Sequence, residues 1–432
     1  MRTLDVSIEI SGRQIPVGSI SGDSVYSAVF RYSEEYLSAP QSRAISVSLP
    51  LQPEPFTPEQ TRIFFEGLLP EGFLRRTVAE STRTDQTDYL TLLELLGSEC
   101  LGAIQITGGS VPVPAPAYRR ISPESLSELA AEGASRSADM VVEAHLSLTG
   151  ASGKIGVYRD TEGQWYLPVG SAPSTHILKQ SHIRYQEIIQ NEYLCLLTAR
   201  KLGIPTSGCF ILPCSSEAEA EQVLFASERY DRRFSDHPHR ISGLPCPLRL
   251  HQEDFCQALG IPAAEKYEAN GSHYLRKMFD LLRARSANPI EDQFRLWDML
   301  VFHYLIGNTD GHIKNYSLLY SRDLGAMRLA PAYDIVSTVI YETHSRKMAF
   351  SVGRTLDWSS VTPEHFRYET ELLGLNTRLF MQRYDHLAAR FETALNESAE
   401  RMAHDGFTGS RELAARILEA RKRKIAESAF FH

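Results

Sequence analysis

Apolar and polar positions alternate in LDVSIEI, residues 4–10, which predicts a strand, and Gly12 marks the turn after it. ISVSLPL at 45–51 alternates again and predicts another strand. FFEGLLPEGFLRR at 64–76 carries a polar, exposed loop about Pro70 and Gly72, and LTLLELLG at 90–97 reads as a helix. Together these predict a compact α/β unit. GGSVPVPAPA at 108–117 interrupts the pattern with glycine and proline and reads as a surface linker. From about 139 to 231 the chain turns β-rich. IGVY (155–158), a turn ending at Gly163 and QWYLP (164–168) predict a hairpin; HILK (176–179) predicts a strand. Residues 185–202 place Ile189, Tyr193 and Leu197 on one helical face, with Gly203 as the stop, and GCFILP (208–213) and QVLFAS (222–227) return to strand.

After Asp231 the periodicity becomes mainly helical, near 252–259, 273–286, 292–307, 376–398 and 410–427. Residues 293–306 are apolar on nearly every side, the mark of a central buried helix. YSLLY (316–320) and MRLAP (327–331) interrupt as short strands. The expected division is an N-terminal α/β domain (1–108), a linker and lead-in (109–138), a β-rich small lobe (139–231) and a helical lobe (232–432), with a cleft between the lobes. The fold class is therefore α+β.

Composition narrows the function more than the fold. With 43% hydrophobic and 23% charged residues the chain is an ordinary globular one. A net charge of −8 argues against nucleic acid as the main partner. No apolar run reaches membrane-spanning length, and the N-terminus lacks a signal-peptide core. The six cysteines show neither CxxC nor zinc spacing, so reduced thiols in a cytoplasm are expected, without metal.

The chemistry concentrates in GNTDGHIKNYSLLYSRDLGAMRLAPAYDIVS, residues 307–337, which begins where the buried helix ends. Asp310 and Asn315 are five apart, and Asp334 follows a strand pair nineteen residues later. Phosphoryl transfer needs a carboxylate to take the proton of the attacking hydroxyl and hard oxygen ligands for a Mg²⁺ that holds the ATP phosphates. Asp310 fits the first task, Asn315 and Asp334 the second. SLTGASGKIG at 147–156 puts Gly150, Gly153 and Gly156 before the hairpin. Such a loop can wrap backbone N–H groups around phosphates, though a glycine-rich turn needs no ligand. Lys179 ends its strand where a phosphate-pairing lysine would stand, with Glu192 or Glu187 as its partner on the next helix. ASERYDRR at 226–233 offers Glu228, Arg229 and Tyr230 to an adenine edge, and reads equally well as a plain connector.

These residues resemble the HipA toxin kinases of bacterial toxin–antitoxin systems. The resemblance runs through SVSLPL, FFEGLLPEG, LSLTGASGK, PSTHILK, NEYLCLLTARKLGI, SERYDR, RLHQEDFCQALGIPAAEKYE, LIGNTDGHIKNYSLL and PAYDIVS. It implies a two-lobed protein-kinase-like fold and an ATP- and Mg²⁺-dependent serine/threonine protein kinase. Asp310 would be the base, Asn315 and Asp334 the metal ligands. Thr149, Gly150, Ala151, Ser152, Gly153, Lys154, Lys179, His312, Lys314, Asn315, Tyr333 and Asp334 would contact ATP, with Glu228, Arg229 and Tyr230 as the hinge. Ser147 matches the family's autophosphorylated serine, whose modification expels the phosphate loop. The partner implied is a helix-turn-helix antitoxin dimer that represses the operon, so that DNA is reached only through that complex. Family targets include aminoacyl-tRNA synthetases, whose phosphorylation halts translation and yields persistent cells. The chain departs from the common phosphate loop at Ser152 and Gly153, and Thr149 adds a second hydroxyl near Ser147.

Two other readings compete: a small-molecule phosphotransferase using the same three residues, and a non-catalytic co-repressor. For the latter, Arg378, Arg383, Arg390 and the RKRK run at 421–424 are candidate phosphate contacts, or simply a solvated helix face.

Overall fold

The computed structural model describes residues 2–108, 114–132, 137, 140, 141, 153–180, 187–214, 222–269 and 271–430. The chain forms two compact units: Met1–His182 with Phe210–Ala263 and Leu318–Met327, and Ile183–Cys209 with Ala264–Ser317 and Arg328–His432. This division cuts across the segments drawn from sequence. The helix expected within the β-rich lobe belongs to the second unit, and residues 232–263 belong to the first.

The first unit holds an antiparallel sheet in the order Val29–Tyr32, Arg13–Gly22, Arg2–Ile10, Ile104–Gly108. Leu4, Val6, Ile8 and Ile10 face inward, as their alternation requires. The register shifts between Val6 and Ser7, opposite Pro16, which has no N–H to give the ladder. Helices Pro58–Glu66 and Tyr89–Leu96 pack beside this sheet. The loop expected about Pro70 and Gly72 in the 64–76 run is exposed only on its later side, at Gly72 and Phe73. The run spans the end of the first of these helices and the start of the helix Gly72–Ser81, and Leu68, Leu69 and Pro70 between them are buried.

A second sheet in this unit runs Ala117–Arg120, Trp165–Val169, Lys154–Arg159, His176–Gln180, Val223–Glu228, Cys209–Pro213. The predicted hairpin, its turn at Gly163 (φ +84°) and the strand order are all present. Residues 232–249, read as the start of the helical region, form short paired strands instead, Arg232–Arg233 with Leu248–Arg249 and Arg240–Ile241 with Leu244–Pro245. Most of the linker run 108–117 lies outside the described residues.

A six-member ionic network lies in the interior of this unit. Arg249 reaches Glu99 at 2.7 Å and Glu9 at 3.3 Å; Arg229 reaches Glu99 at 3.1 Å and Asp231 at 2.6 Å; Arg232 reaches Glu99 at 2.8 Å and Asp231 at 3.0 Å. Three guanidinium groups thus balance three carboxylates. Burial alone would raise Glu99, but the pull of Arg232, Arg249 and Arg229 holds its carboxyl at about 2.

The 45–51 run alternates without forming a strand. Ile45 and Leu49 are buried, while Ser46 donates to Glu253, the Val47 N–H donates to Glu253 at 3.0 Å and Ser48 donates to the Gln257 carbonyl at 2.7 Å. These donors go to the Glu253 carboxylate and the Gln257 carbonyl rather than to a neighbouring strand. The predicted helix at 252–259 begins only at Phe255, because Asp254 caps it by accepting from the Gln257 N–H at 3.0 Å, and Gln252–Asp254 is a strand.

In the second unit the helix Pro289–Ile306 is central. Asn288 caps its start, Pro289 opens its first turn, and Gly307 (φ +71°) ends it. Trp297 stands edge-on to Phe366 and Phe380. The fully buried Asp292 accepts from Arg328 at 2.9 Å and from the Leu329 N–H at 2.9 Å. Helices Ile188–Lys201, Tyr274–Arg285, Thr377–His404 and Ser410–Phe430 belong to this unit, with a helix at Pro363–Leu372 that the sequence reading did not name.

The basic residues weighed as phosphate contacts are mostly engaged. Arg383 pairs with Asp298, and Arg390 donates to the Lys201 carbonyl at 3.2 Å. Within the 421–424 run, Arg423 pairs with Glu419 at 3.0 Å. Lys424 is buried against Tyr304 and Trp358 and donates to the Val361 carbonyl at 2.5 Å. All six cysteines are free, and no helix among the described residues is long and apolar enough to cross a membrane.

Two stability predictions follow from the first unit. Arg229→Leu leaves buried carboxylates undercompensated and should cost about 3–5 kcal/mol, read from urea unfolding midpoints. Burial raises Glu253 to about 7, although Ser46, Tyr320 and Val47 all donate to it. A carboxyl raised in the folded state contributes stability that is complete below its unfolded pKa and is lost as pH climbs through the folded value. Wild-type stability should therefore fall between about pH 4.5 and 7 relative to Glu253→Gln, measured by urea titration across that range.

Candidate active site

The end of the central helix builds the loop that carries Asp310. A Cβ on Gly307 would lie 2.2 Å from Val339, and its φ of +71° also calls for glycine. A Cβ on Gly311 would lie 2.3 Å from the His303 ring, so the residue after Asp310 must be bare. His303 is buried and held neutral by desolvation, its pKa lowered to about 4. Its ring stacks on Tyr316 at 5.5 Å and its Nδ1 meets Asn308 at 3.1 Å. Asn308 in turn accepts from the Asp310 N–H at 3.0 Å, and the Thr309 N–H donates to Thr338 at 2.8 Å. The backbone under Asp310 is thus fixed from several sides.

His312 begins a 3₁₀ turn, Ile313–Asn315, in which Lys314 and Asn315 are buried. The Asn315 amide donates to the Asp310 carbonyl at 3.2 Å. Tyr333 donates to the Lys314 carbonyl at 3.0 Å and meets Ser317 at 2.6 Å, which ties the AYD segment to the same loop. Asp334 takes a left-handed backbone (φ +56°), uncommon for a residue with a side chain and concentrated at functional sites. Burial raises the Asp310 carboxyl; the hydrogen bond from Tyr267 opposes that shift, and the charge of Asp334 adds to it. Asp310, Asn315 and Asp334 therefore form one cluster inside the second unit.

A hard divalent cation fits this cluster. Two carboxylates that repel each other and one amide oxygen are donors suited to Mg²⁺, and the Asn315 bond to Asp310 uses only its nitrogen.

In the first unit, Lys179 stands opposite Lys154 on the neighbouring strand, and its ammonium lies 5.6 Å from the Phe225 ring centre. The Gly153 carbonyl accepts from the Gln180 N–H at 3.4 Å. Ser147, Thr149, Gly150, Ala151 and Ser152 lie outside the described residues. Glu228 is exposed at the end of its strand, and Tyr230 bonds to Gln252. The Arg229 side chain is inside the ionic network, its N–H donates to the Thr175 carbonyl at 2.9 Å and its carbonyl accepts from the Arg232 N–H at 3.2 Å. Both flanks of 226–233 belong to the first unit, so the segment does not join the two. Glu187 pairs with Arg416 at 2.7 Å, whereas Glu192 is buried on its helix.

Sequence reasoning missed Tyr267, whose phenol donates to Asp310 from 43 positions earlier in the chain, and it missed the support from His303, Asn308 and Thr338. Only the Gly-Asn step after the helix carried any local signal.

Residues 146–400 match the family described as HipA-like C-terminal domain, and residues 8–107 match the HipA N-terminal domain. The chain is 32% identical over 381 residues to Y4mE of Sinorhizobium fredii, which carries a kinase name, covering 86% of each chain. It is 26% identical over 354 residues to the serine/threonine-protein kinase toxin HipA of Shewanella oneidensis, covering 79% of this chain and 78% of that one. The solved complex of Shewanella oneidensis HipA, HipB and operator DNA contains a chain of the same fold, with a TM-score of 0.78 at 22% identity over 98% of this chain and 97% of that one. The N- and C-terminal family matches and the full-length relatives agree, and the chain belongs to the HipA family of kinases.

Proposed function

We propose that the chain is an ATP- and Mg²⁺-dependent serine/threonine protein kinase acting as the toxin of a toxin–antitoxin pair. The observation that carries this reading is the cluster of Asp310, Asn315 and Asp334 on one braced loop system. Asp310 takes the proton of the attacking serine or threonine hydroxyl. Asn315 and Asp334 hold Mg²⁺, which supplies the positive charge that offsets the phosphates. Lys154 and Lys179, on facing strand positions, contact the phosphates. Gly153 with residues 149–152 forms the phosphate loop. His312, Lys314 and Tyr333 complete the nucleotide contacts, and the segment Glu228, Arg229 and Tyr230 flanks the adenine.

The target is a translation-related protein of the aminoacyl-tRNA synthetase type, whose modification arrests growth in the cytoplasm and promotes persistence. A helix-turn-helix antitoxin dimer binds the kinase and carries it to operator DNA, a reading supported by the assembly in which the Shewanella relative was solved. Autophosphorylation of Ser147 switches the enzyme off, because a phosphate there adds about two negative charges beside the nucleotide phosphates.

Asp310→Asn should lower phosphoryl transfer by roughly 10²-fold or more with nucleotide binding retained. Asp334→Ala should instead weaken Mg²⁺-dependent nucleotide binding. Transfer of labelled phosphate from ATP, and calorimetry with and without Mg²⁺, separate the two. Mass spectrometry should find phosphate at Ser147 in the active protein and none in Asp310→Asn; phosphate confined to Thr149 or Ser152 would move the site.

A further inference from the structure

We propose that Tyr267 occupies the seat of the acceptor hydroxyl on Asp310, so that an acceptor must displace its phenol before phosphoryl transfer. This inference rests on the reading of Asp310 as the base. The Tyr267 hydroxyl donates to Asp310 Oδ1. That is the interaction an incoming serine or threonine hydroxyl must make, since its proton leaves to the same carboxylate. The ring stands edge-on to His312 with centres 5.2 Å apart. Tyr267 nevertheless remains 47% exposed, so it reaches the carboxylate from the solvent side.

The chain on both sides of Tyr267 is anchored. The Glu265 carbonyl accepts from Tyr274 at 2.6 Å. The Glu268 N–H donates to the Ala349 carbonyl at 2.7 Å, and its carboxylate accepts from the His273 N–H at 2.9 Å and the Ser351 N–H at 2.6 Å. Departure of the phenol is therefore a rotation of one exposed side chain over a fixed backbone, toward the solvent from which acceptors arrive. In the closed position the phenol keeps water from the same oxygen, so ATP is conserved until a protein acceptor competes for the seat.

The test uses the full chain with water as the probe acceptor. Tyr267→Phe keeps the ring against His312 and removes only the hydroxyl. It should raise ATP hydrolysis in the absence of protein acceptor several-fold at unchanged KM for ATP. Tyr267→Ala should raise it further. With dephosphorylated casein as acceptor, the KM for casein should fall while kcat holds. Hydrolysis that is unchanged or slower in Tyr267→Phe, with nucleotide binding intact, would overturn the proposal. Asp310→Asn and the double variant Asp310→Asn/Tyr267→Phe are measured alongside. If Asp310→Asn hydrolyses ATP at the wild-type rate, the base assignment fails. If it is inactive and the double variant shows no gain, the increase in Tyr267→Phe passes through Asp310 as required.

Discussion

The three-arginine, three-carboxylate network of Glu9, Glu99, Asp231, Arg229, Arg232 and Arg249 is the constraint on which the first unit depends. Its members come from the first strand, from the segment after the helix Tyr89–Leu96, and from the segments that follow the last strands of the second sheet. Each charge is out of water, so each is tolerable only with its partners in place. The arrangement therefore makes the N-terminal sheet an integral part of the unit that carries Lys154 and Lys179. Apolar contacts could hold the same elements together, but they would accept a sliding register. A guanidinium with two carboxylates at hydrogen-bond distance does not.

The second unit solves a different problem: how to present a carboxylate on a loop without letting the loop move. Bare glycines at 307 and 311 let Val339 and the His303 ring come close, and Thr338 and Asn308 then accept from the Thr309 and Asp310 N–H groups of the loop beyond the helix. His303 serves this role because burial keeps it neutral, leaving a ring nitrogen to meet the Asn308 amide. The loop is stiff for local reasons that can be named atom by atom.

What was legible in the sequence follows from range. The hairpin at 154–169, the strand at 176–180, the helix at 188–201 and the central helix are fixed by local periodicity and glycine stops, and each is present. The 45–51 alternation misled because period two measures only which side chains are buried. Glu253, some two hundred positions away, supplies the hydrogen bonds that a neighbouring strand would have given. The place of the Arg229 side chain was hidden for the same reason. In SERYDR Arg229 reads as a connector residue, and nothing nearby in sequence announces Glu99. The spacing of Asp310, Asn315 and Asp334 was readable because one loop and one strand pair set it. Tyr267 was not, since it reaches Asp310 from a separate segment.

The site carries electrostatic and conformational costs. Asp292, buried in the same unit, is met by Arg328 and Arg295. The charged groups that act on Asp310 include another carboxylate, and Asp334 adds a left-handed backbone. Lys266 and His344 act on Asp310 in the opposite sense. The loop beneath Asp310 is fixed by Gly307, Gly311, Asn308 and Thr338, which keeps its carboxylate in place. The hydroxyl of Tyr267 offsets part of the cost at Asp310. Asp292 meets its guanidinium partners directly, whereas the charges acting on Asp310 include those of a neighbouring carboxylate.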